Sequence, residues 1–255
     1  RRKDITQKVL TYGLTGDADI AGSNTQILYH EEKKLEPVGM TFKIDAEGSS
    51  MPIRIFGALG KQHVYPALAA LAVVSSQKLN LIRAAEAFES HRAPQGRMNI
   101  IEGLKETIII DDSYNASPVA VDEALQTLKE LTVSGRRIVL LADMMELGRY
   151  STTQHKQIGE KAAEIADIIV TVGVRARGIA EGALGKEFKE DSIFQFEKAE
   201  EAGNFIQNLL QKGDVILIKG SESMRMERTV KAIMAHPEYA EDLLVRQNKE
   251  WLDKI

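Results

Sequence analysis

The sequence predicts an α/β protein whose larger part is a Rossmann-like domain, a mostly parallel sheet with helices on both faces. Three observations make that prediction. From position 98 onward, short β-branched runs alternate with longer amphipathic stretches, the pattern of repeated strand–helix–strand units. Ile108-Ile109-Ile110 reads as a strand buried on both faces, and Ser117-Pro118 soon after it reads as an N-cap with a proline in the first helical turn. The polar words Asp111-Asp112, Asp143-Met144-Met145-Glu146 and Lys219-Gly220-Ser221 each follow a predicted strand, which is where an open α/β sheet binds its ligands.

The 255 residues, 44% of them hydrophobic, suffice for one large or two modest cores. The longest apolar run, 67–74, is too short to span a bilayer, and Arg1-Arg2-Lys3-Asp4-Ile5 lacks the apolar stretch of a signal peptide. The expectation is a soluble, cytoplasmic protein with no membrane insertion. A formal net charge of -4 gives no electrostatic reason to bind nucleic acid or an anionic surface. With no cysteine, disulfides, thiolate metal sites and thiol nucleophiles are excluded.

Taken in order, the first fifty-odd residues alternate short segments with turns. Stretches 41–44 and 51–56 flank Asp45-Ala46-Glu47-Gly48-Ser49-Ser50 and predict a β-hairpin with a loop longer than the commonest two-residue kind. Pro52 suits the start of an edge strand, where no ladder hydrogen bond is lost. Gly57-Ala58-Leu59-Gly60-Lys61-Gln62-His63-Val64-Tyr65-Pro66 then leads into a helix of small residues over 67–74. Gly60-Lys61 is not a phosphate loop of the Walker type, because Gln62 stands where a Ser or Thr is required, and no such loop occurs elsewhere. Helical segments run on to about position 90, with Ile82, Ala85 and Phe88 spaced as a core face.

His91-Arg92-Ala93-Pro94-Gln95-Gly96-Arg97 breaks the pattern, and the domain boundary is placed there, giving domains 1–92 and 93–255. Strands are predicted over 98–101, 107–110, 137–141, 167–172, 192–196 and 215–218. Helices are predicted over 119–131, 153–165, 175–182, 197–211 and 224–235. A Gly-x-Gly-x-x-Gly fingerprint is missing, so the pattern alone gives no warrant for a dinucleotide. The tail 237–255, with Tyr239, Leu243, Leu244, Trp251 and Leu252 among many charges, is expected to be one terminal amphipathic helix.

Asp111-Asp112-Ser113-Tyr114-Asn115-Ala116-Ser117-Pro118 resembles a signature of the Mur ligases, most like the branch of that family that adds a dipeptide. Four other stretches agree with the family in order and spacing: 57–73, Pro94-Gln95-Gly96-Arg97-Met98, Leu141-Ala142-Asp143-Met144-Met145-Glu146-Leu147-Gly148, and 218–227. The resemblance implies that 1–92 is the remnant of a central ATPase domain lacking its phosphate loop, and that 93–255 is a Rossmann-like C-terminal domain. It implies an ATP-dependent amide ligase of peptidoglycan precursor synthesis, with ATP and magnesium as cofactors. Its substrates would be UDP-N-acetylmuramoyl-tripeptide and D-alanyl-D-alanine, joined through an acyl phosphate by a monomer. The phosphate loop, the main magnesium ligands and the uridine-binding domain would lie upstream of Arg1, so the chain is expected to be a C-terminal fragment. Alternatives are a non-catalytic binding module of the same fold, or a sister ligase such as another Mur enzyme or a folylpolyglutamate synthase.

Site residues follow from the resemblance position by position. Arg97 would reach the γ-phosphate of ATP, a task that suits a guanidinium, which stays charged and clamps oxygens bidentately. Gln62 and His63 stand where the family contacts adenine, although the usual pattern there is Gly-Arg-His-Asn-Val-x-Asn and His63 is equally a helix-start cap. Asp112 would accept the ribose hydroxyls, while Asp111 caps or supports the turn. Tyr114 and Asn115 would either contact substrate or support the turn from within. Asp143 and Glu146 belong to the loop where the incoming amine meets the acyl phosphate, Glu146 being equally a solvated loop acid. His155 matches a family position but reads as structural on its predicted helix. Lys219 and Ser221 precede a helix start that favours a carboxylate, with Glu222 standing where the family has arginine.

Overall fold

A computed structural model describes residues 9–33 and 35–253. The chain forms two units, one of Arg1–Leu28 with Val38–Arg92, the other of Tyr29–Pro37 with Ala93–Ile255.

In the first unit, β1 (Tyr12–Gly13), β2 (Ile20–Tyr29), β3 (Pro37–Ala46) and β4 (Ser49–Phe56) lie in that order in one sheet. The hairpin of β3 and β4 is tighter than the sequence suggests. Ala46 pairs with Ser49, leaving only Glu47 and Gly48 in the turn, with φ of 51° and 74°. Two left-handed residues make the turn whose twist matches the flanking strands. Met40, Phe42, Ile44 and Ala46 therefore keep their alternation to the turn itself and stay buried. Pro52 lies on β4, the edge of the sheet. Val64 and Leu68 of α1 (Val64–Ser76) press against Gly22 of β2. α2 (Leu81–Ala87) starts at Asn80, whose side chain accepts from the Arg83 N–H. The expected face is displaced: Ile82 is exposed, and Leu81 and Ala85 are the buried residues.

The second unit begins with β5 (Asn99–Gly103) and β6 (Thr107–Asp112). There follow α3 (Pro118–Glu130), β7 (Arg137–Ala142), α4 (Ser151–Ala163) and β8 (Ile168–Val172). Then come α5 (Arg177–Leu184), β9 (Ile193–Phe196), α6 (Ala199–Leu209), β10 (Val215–Lys219) and α7 (Glu227–Ile233). The six-stranded sheet has the order β5-β6-β10-β7-β8-β9. Only β5 runs antiparallel, against β6; every other pair is parallel. The chain leaves β6, passes over the place that β10 later fills, continues outward through β7 and β8 to β9, and returns to insert β10. Helices α3, α4 and α5 pack as one group and α6 with α7 as another, as right-handed crossovers in opposite directions require. Both faces are thus covered, and every residue of β8 and β10 is buried.

The tail is not the single helix expected. It forms α8 (Ala240–Leu243) and α9 (Lys249–Leu252), separated by a stretch in which Arg246 has φ of 60°. α8 already ends by Leu244, whose backbone is extended, and the left-handed Arg246 follows two residues later with its side chain buried. Among the described residues no helix is long and apolar enough to cross a membrane.

Candidate active site

The second unit brings three strand ends together. β6, β10 and β7 are neighbours, so Asp112, Lys219 and the residues after Ala142 emerge side by side at the carboxyl edge of the sheet. The strand order reverses at this place, since the connections from β6 lead one way and the return to β10 the other.

At its centre is a buried pair. Lys219 Nζ donates to Asp112 Oδ2 at 2.5 Å and to the Asn115 carbonyl at 2.9 Å. The Lys219 side chain is 1% exposed, and so its ammonium is committed inward. Burial pushes the Asp112 carboxyl above its ordinary value, against the pull of Lys219, Arg97 and the Met98 amide. Asp111 points to the other face of β6 and is fully buried. Its Oδ1 accepts from the Ser113 N–H at 3.0 Å, while Oδ2 and the buried Ser113 Oγ find no well-aligned partner. Burial, with the charges of Asp112 and Glu227 nearby, raises the Asp111 carboxyl to about 7, although Ser113 pulls the other way. The cap of α3 is Ser117, which accepts from the Ala120 N–H.

The turn between β6 and α3 exposes two of the expected residues. Asn115 and Tyr114 both face outward, Tyr114 at 42% exposure. The Arg97 guanidinium lies over the Tyr114 ring, 4.1 Å from its centre, and the Tyr114 N–H donates to the Gly96 carbonyl.

The loop after β7 is held from three sides. Asp143 Oδ1 accepts from the Ala176 N–H at 2.7 Å, and Oδ2 lies 3.4 Å from Arg175 Nη1. Ser221 Oγ accepts from the Met145 N–H at 2.8 Å, and the Ser221 N–H donates to the Asp143 carbonyl. Fully buried His155 accepts from the Met144 N–H at 2.9 Å on Nε2, while Nδ1 faces the Ser151 carbonyl at 2.7 Å. That pairing makes His155 a structural post for the loop, both ring nitrogens being engaged within the fold. Glu146 emerges from the loop exposed, with a left-handed φ of 62°. Asp143 and Ser221 are therefore already engaged within the fold, and Glu146 is the acid of this loop that faces outward. Glu222 is exposed.

Arg97, Asp112, Tyr114, Asn115, Asp143, Glu146, Lys219 and Ser221 all belong to the second unit. Gln62 and His63 belong to the first, in a single 3-10 turn (Lys61–His63) ahead of α1. The sequence reading missed a further group. Glu227 is fully buried, with Oε1 accepting from Arg225 Nε at 2.6 Å and Oε2 from Arg246 Nη1 at 3.0 Å. Arg246 Nη2 also donates to the Tyr114 carbonyl at 2.5 Å. Glu227 is the last residue of the stretch 218–227 that resembles the family, and nothing around Arg246 marks it in one dimension.

Residues 96–222 match the family model described as Mur ligase, glutamate ligase domain. A UDP-N-acetylmuramoyl-tripeptide--D-alanyl-D-alanine ligase of Bacillus subtilis (strain 168) is 32% identical over 180 residues, 70% of this chain and 39% of that protein. A UDP-N-acetylmuramate--L-alanine ligase of a Sulfurihydrogenibium species is 26% identical over 231 residues, 86% of this chain and 46% of that protein. A solved structure of MurF from Acinetobacter baumannii superposes with a TM-score of 0.72 at 27% identity, over 87% of this chain and 46% of that one. The structure of MurF ligase from Thermotoga maritima in complex with ADP superposes at 0.69 over 91% of this chain and 49% of that one, and at 23% identity it shows the fold alone. The chain spans less than half the length of the curated relatives it matches.

Proposed function

Because residues 96–222 belong to the Mur ligase family, we propose that this chain supplies the carboxyl-terminal part of an ATP-dependent amide ligase that adds D-alanyl-D-alanine to UDP-N-acetylmuramoyl-tripeptide. The observation that supports this reading best is the convergence of the Asp111–Pro118 turn, the Asp143 loop and Lys219 on one carboxyl edge, at the reversal of strand order. Those are three of the stretches in which the sequence resembles the family, and they meet at one edge of the sheet.

In this reading the tripeptide carboxylate attacks the γ-phosphorus of ATP, releasing ADP and leaving an acyl phosphate. The amine of the dipeptide then attacks the acyl carbon and phosphate departs. Arg97 is the cation offered to the phosphate oxygens, where developing charge gains most from a fixed donor. Glu146 meets the ammonium of the incoming dipeptide, and Asp143 is a positioning residue that fixes the loop bearing it through the Ala176 N–H. Tyr114 and Asn115 line the approach to the turn. The buried Lys219–Asp112 pair holds the strand ends in register rather than meeting an anion from solvent, and Asp112 keeps the role of ribose acceptor only through Oδ1. Gln62 and His63 are offered to adenine. Magnesium would accompany the nucleotide phosphates and neutralise their charge. We place the reaction in the cytoplasm, carried out by a monomer, with the chain as a C-terminal piece of the ligase.

The deciding assay supplies the full-length protein with ATP, UDP-N-acetylmuramoyl-tripeptide and D-alanyl-D-alanine. One ADP and one phosphate per amide formed is the expected result. A second reading, a sister ligase that adds a single amino acid, is favoured by the likeness to the L-alanine-adding enzyme. Preference for a single amino acid over the dipeptide in a substrate screen would establish it instead.

A further inference from the structure

We infer that Arg246, on the carboxyl-terminal tail, is a positioning residue that acts on Arg97 through Tyr114; the inference rests on the phosphate role proposed for Arg97. Three segments far apart in sequence meet at this tyrosine. On one side the Tyr114 N–H donates to the Gly96 carbonyl at 3.1 Å, next to Arg97 in the chain. On the other, the Tyr114 carbonyl accepts from Arg246 Nη2 at 2.5 Å. The ring between them lies within reach of both guanidiniums, 4.1 Å from Arg97 and 5.6 Å from Arg246. A second tie joins the same segments, since Gln95 Nε2 donates to the Asp242 carbonyl at 2.9 Å.

Arg246 is itself fixed. Its side chain is 5% exposed, and Nη1 is paired with fully buried Glu227, whose other oxygen takes Arg225. Arg225 in turn donates to the Trp251 carbonyl at 3.0 Å, which pins the last turn of the tail. A chain of contacts thus runs from a buried carboxylate to an exposed arginine. Physics gives the arrangement a purpose. Two cations at one ring repel each other, and Glu227 offsets part of that repulsion, its single charge being shared between Arg246 and Arg225. Arg97 is a long, exposed side chain, and ordering it in advance lowers what must be ordered when a phosphate arrives. Stacking on a ring that is fixed at both its backbone N–H and its carbonyl is a means of such ordering.

The first measurement is the side-chain Nε–H resonance of Arg97 in the 255-residue chain, where the Tyr114 ring shifts it from the position of an exposed arginine. In Arg246→Ala it moves toward that position; an unmoved resonance overturns the inference. The second is a double-mutant cycle in the full-length protein. Arg246→Ala lowers kcat about tenfold with little change in the KM for ATP, and causes no further loss in an Arg97→Ala background. Multiplying losses would mean that Arg246 acts on stability or elsewhere, and would overturn it. Should Arg246→Ala lose its fold, Arg246→Gln retains a donor for the Tyr114 carbonyl but not the guanidinium face, and the same criteria apply. If the full-length protein forms no amide, the ligase reading fails, while the resonance still decides whether the tail positions Arg97.

Discussion

Lys219 shows what a single residue does here. Its ammonium is buried between the Asp112 carboxylate and the Asn115 carbonyl, so it joins two strand ends to the turn that follows β6. Lys219→Met removes one member of a buried pair and leaves the other uncompensated. The expected loss is about 3–5 kcal/mol of stability, read as a lower urea midpoint with unchanged slope, and Asp112→Leu in the same chain should restore part of it. Asp111 makes the opposite case, a buried carboxyl without a cation of its own. Its pKa of about 7 in the fold lies above the ordinary 3.8, so between those values the native state keeps a proton that the unfolded chain has released. Stability contributed by the protonated form is complete below the ordinary value and is lost as pH rises through about 7. Asp111→Asn, which mimics the neutral form, should flatten the fall in melting temperature between pH 5 and pH 8 and raise stability at pH 8 by on the order of 1 kcal/mol. An unchanged pH profile would show that Asp111 is ionised throughout.

Helix packing is decided by positions that look unremarkable one at a time. A Cβ on Gly159 would stand 1.9 Å from the Ile179 carbonyl oxygen, and one on Gly182 would stand 2.0 Å from that of Lys156, so α4 and α5 cross with their backbones in contact. Gly182→Ala must force the helices apart and should cost about 1–3 kcal/mol, seen as a fall in the thermal midpoint. Gly185→Ala, at the end of the same helix, meets nothing nearer than 3.4 Å and should be close to neutral. The tail teaches a related lesson. Tyr239, Leu243, Leu244, Trp251 and Leu252 fit a helical spacing, yet Arg246 takes a left-handed backbone between α8 and α9. Spacing reports which residues seek the core; it does not report that a buried carboxylate on α7 will claim the arginine among them.

For the whole molecule, the expected consequence of the proposed reaction is that Arg97→Ala in the full-length protein lowers turnover by about a hundredfold while the unfolding midpoint stays put, because an exposed side chain supports little core. Unchanged turnover with intact folding would remove Arg97 from the site. The parallel sheet was legible because a strand buried on both faces is β-branched or apolar along its length, as Ile109, Ile110 and β10 up to Ile218 are. Strand ends and helix starts were legible for a similar reason, since Ser117-Pro118 states a cap in two letters. The segment Tyr29–Pro37 was not legible as part of the second unit. Its membership rests on contacts far from it in sequence, among them the Thr132 N–H donating to Tyr29 Oη at 2.8 Å.

By itself the sequence determined the alternation of strands and helices, the absence of thiol chemistry and the stretches by which the chain resembles its family. Each of these is local, written in periodicity, caps or residue type. Only the tertiary structure decided that β10 inserts between β6 and β7, and with it that Lys219 meets Asp112 while the Asp143 loop rests on Ser221. It alone placed Arg246 against Glu227 and Tyr114. The reason is physical: a buried charge is settled by whichever partner the packing brings within hydrogen-bonding distance, and that partner can lie a hundred residues away in a chain whose local pattern gives no sign of it.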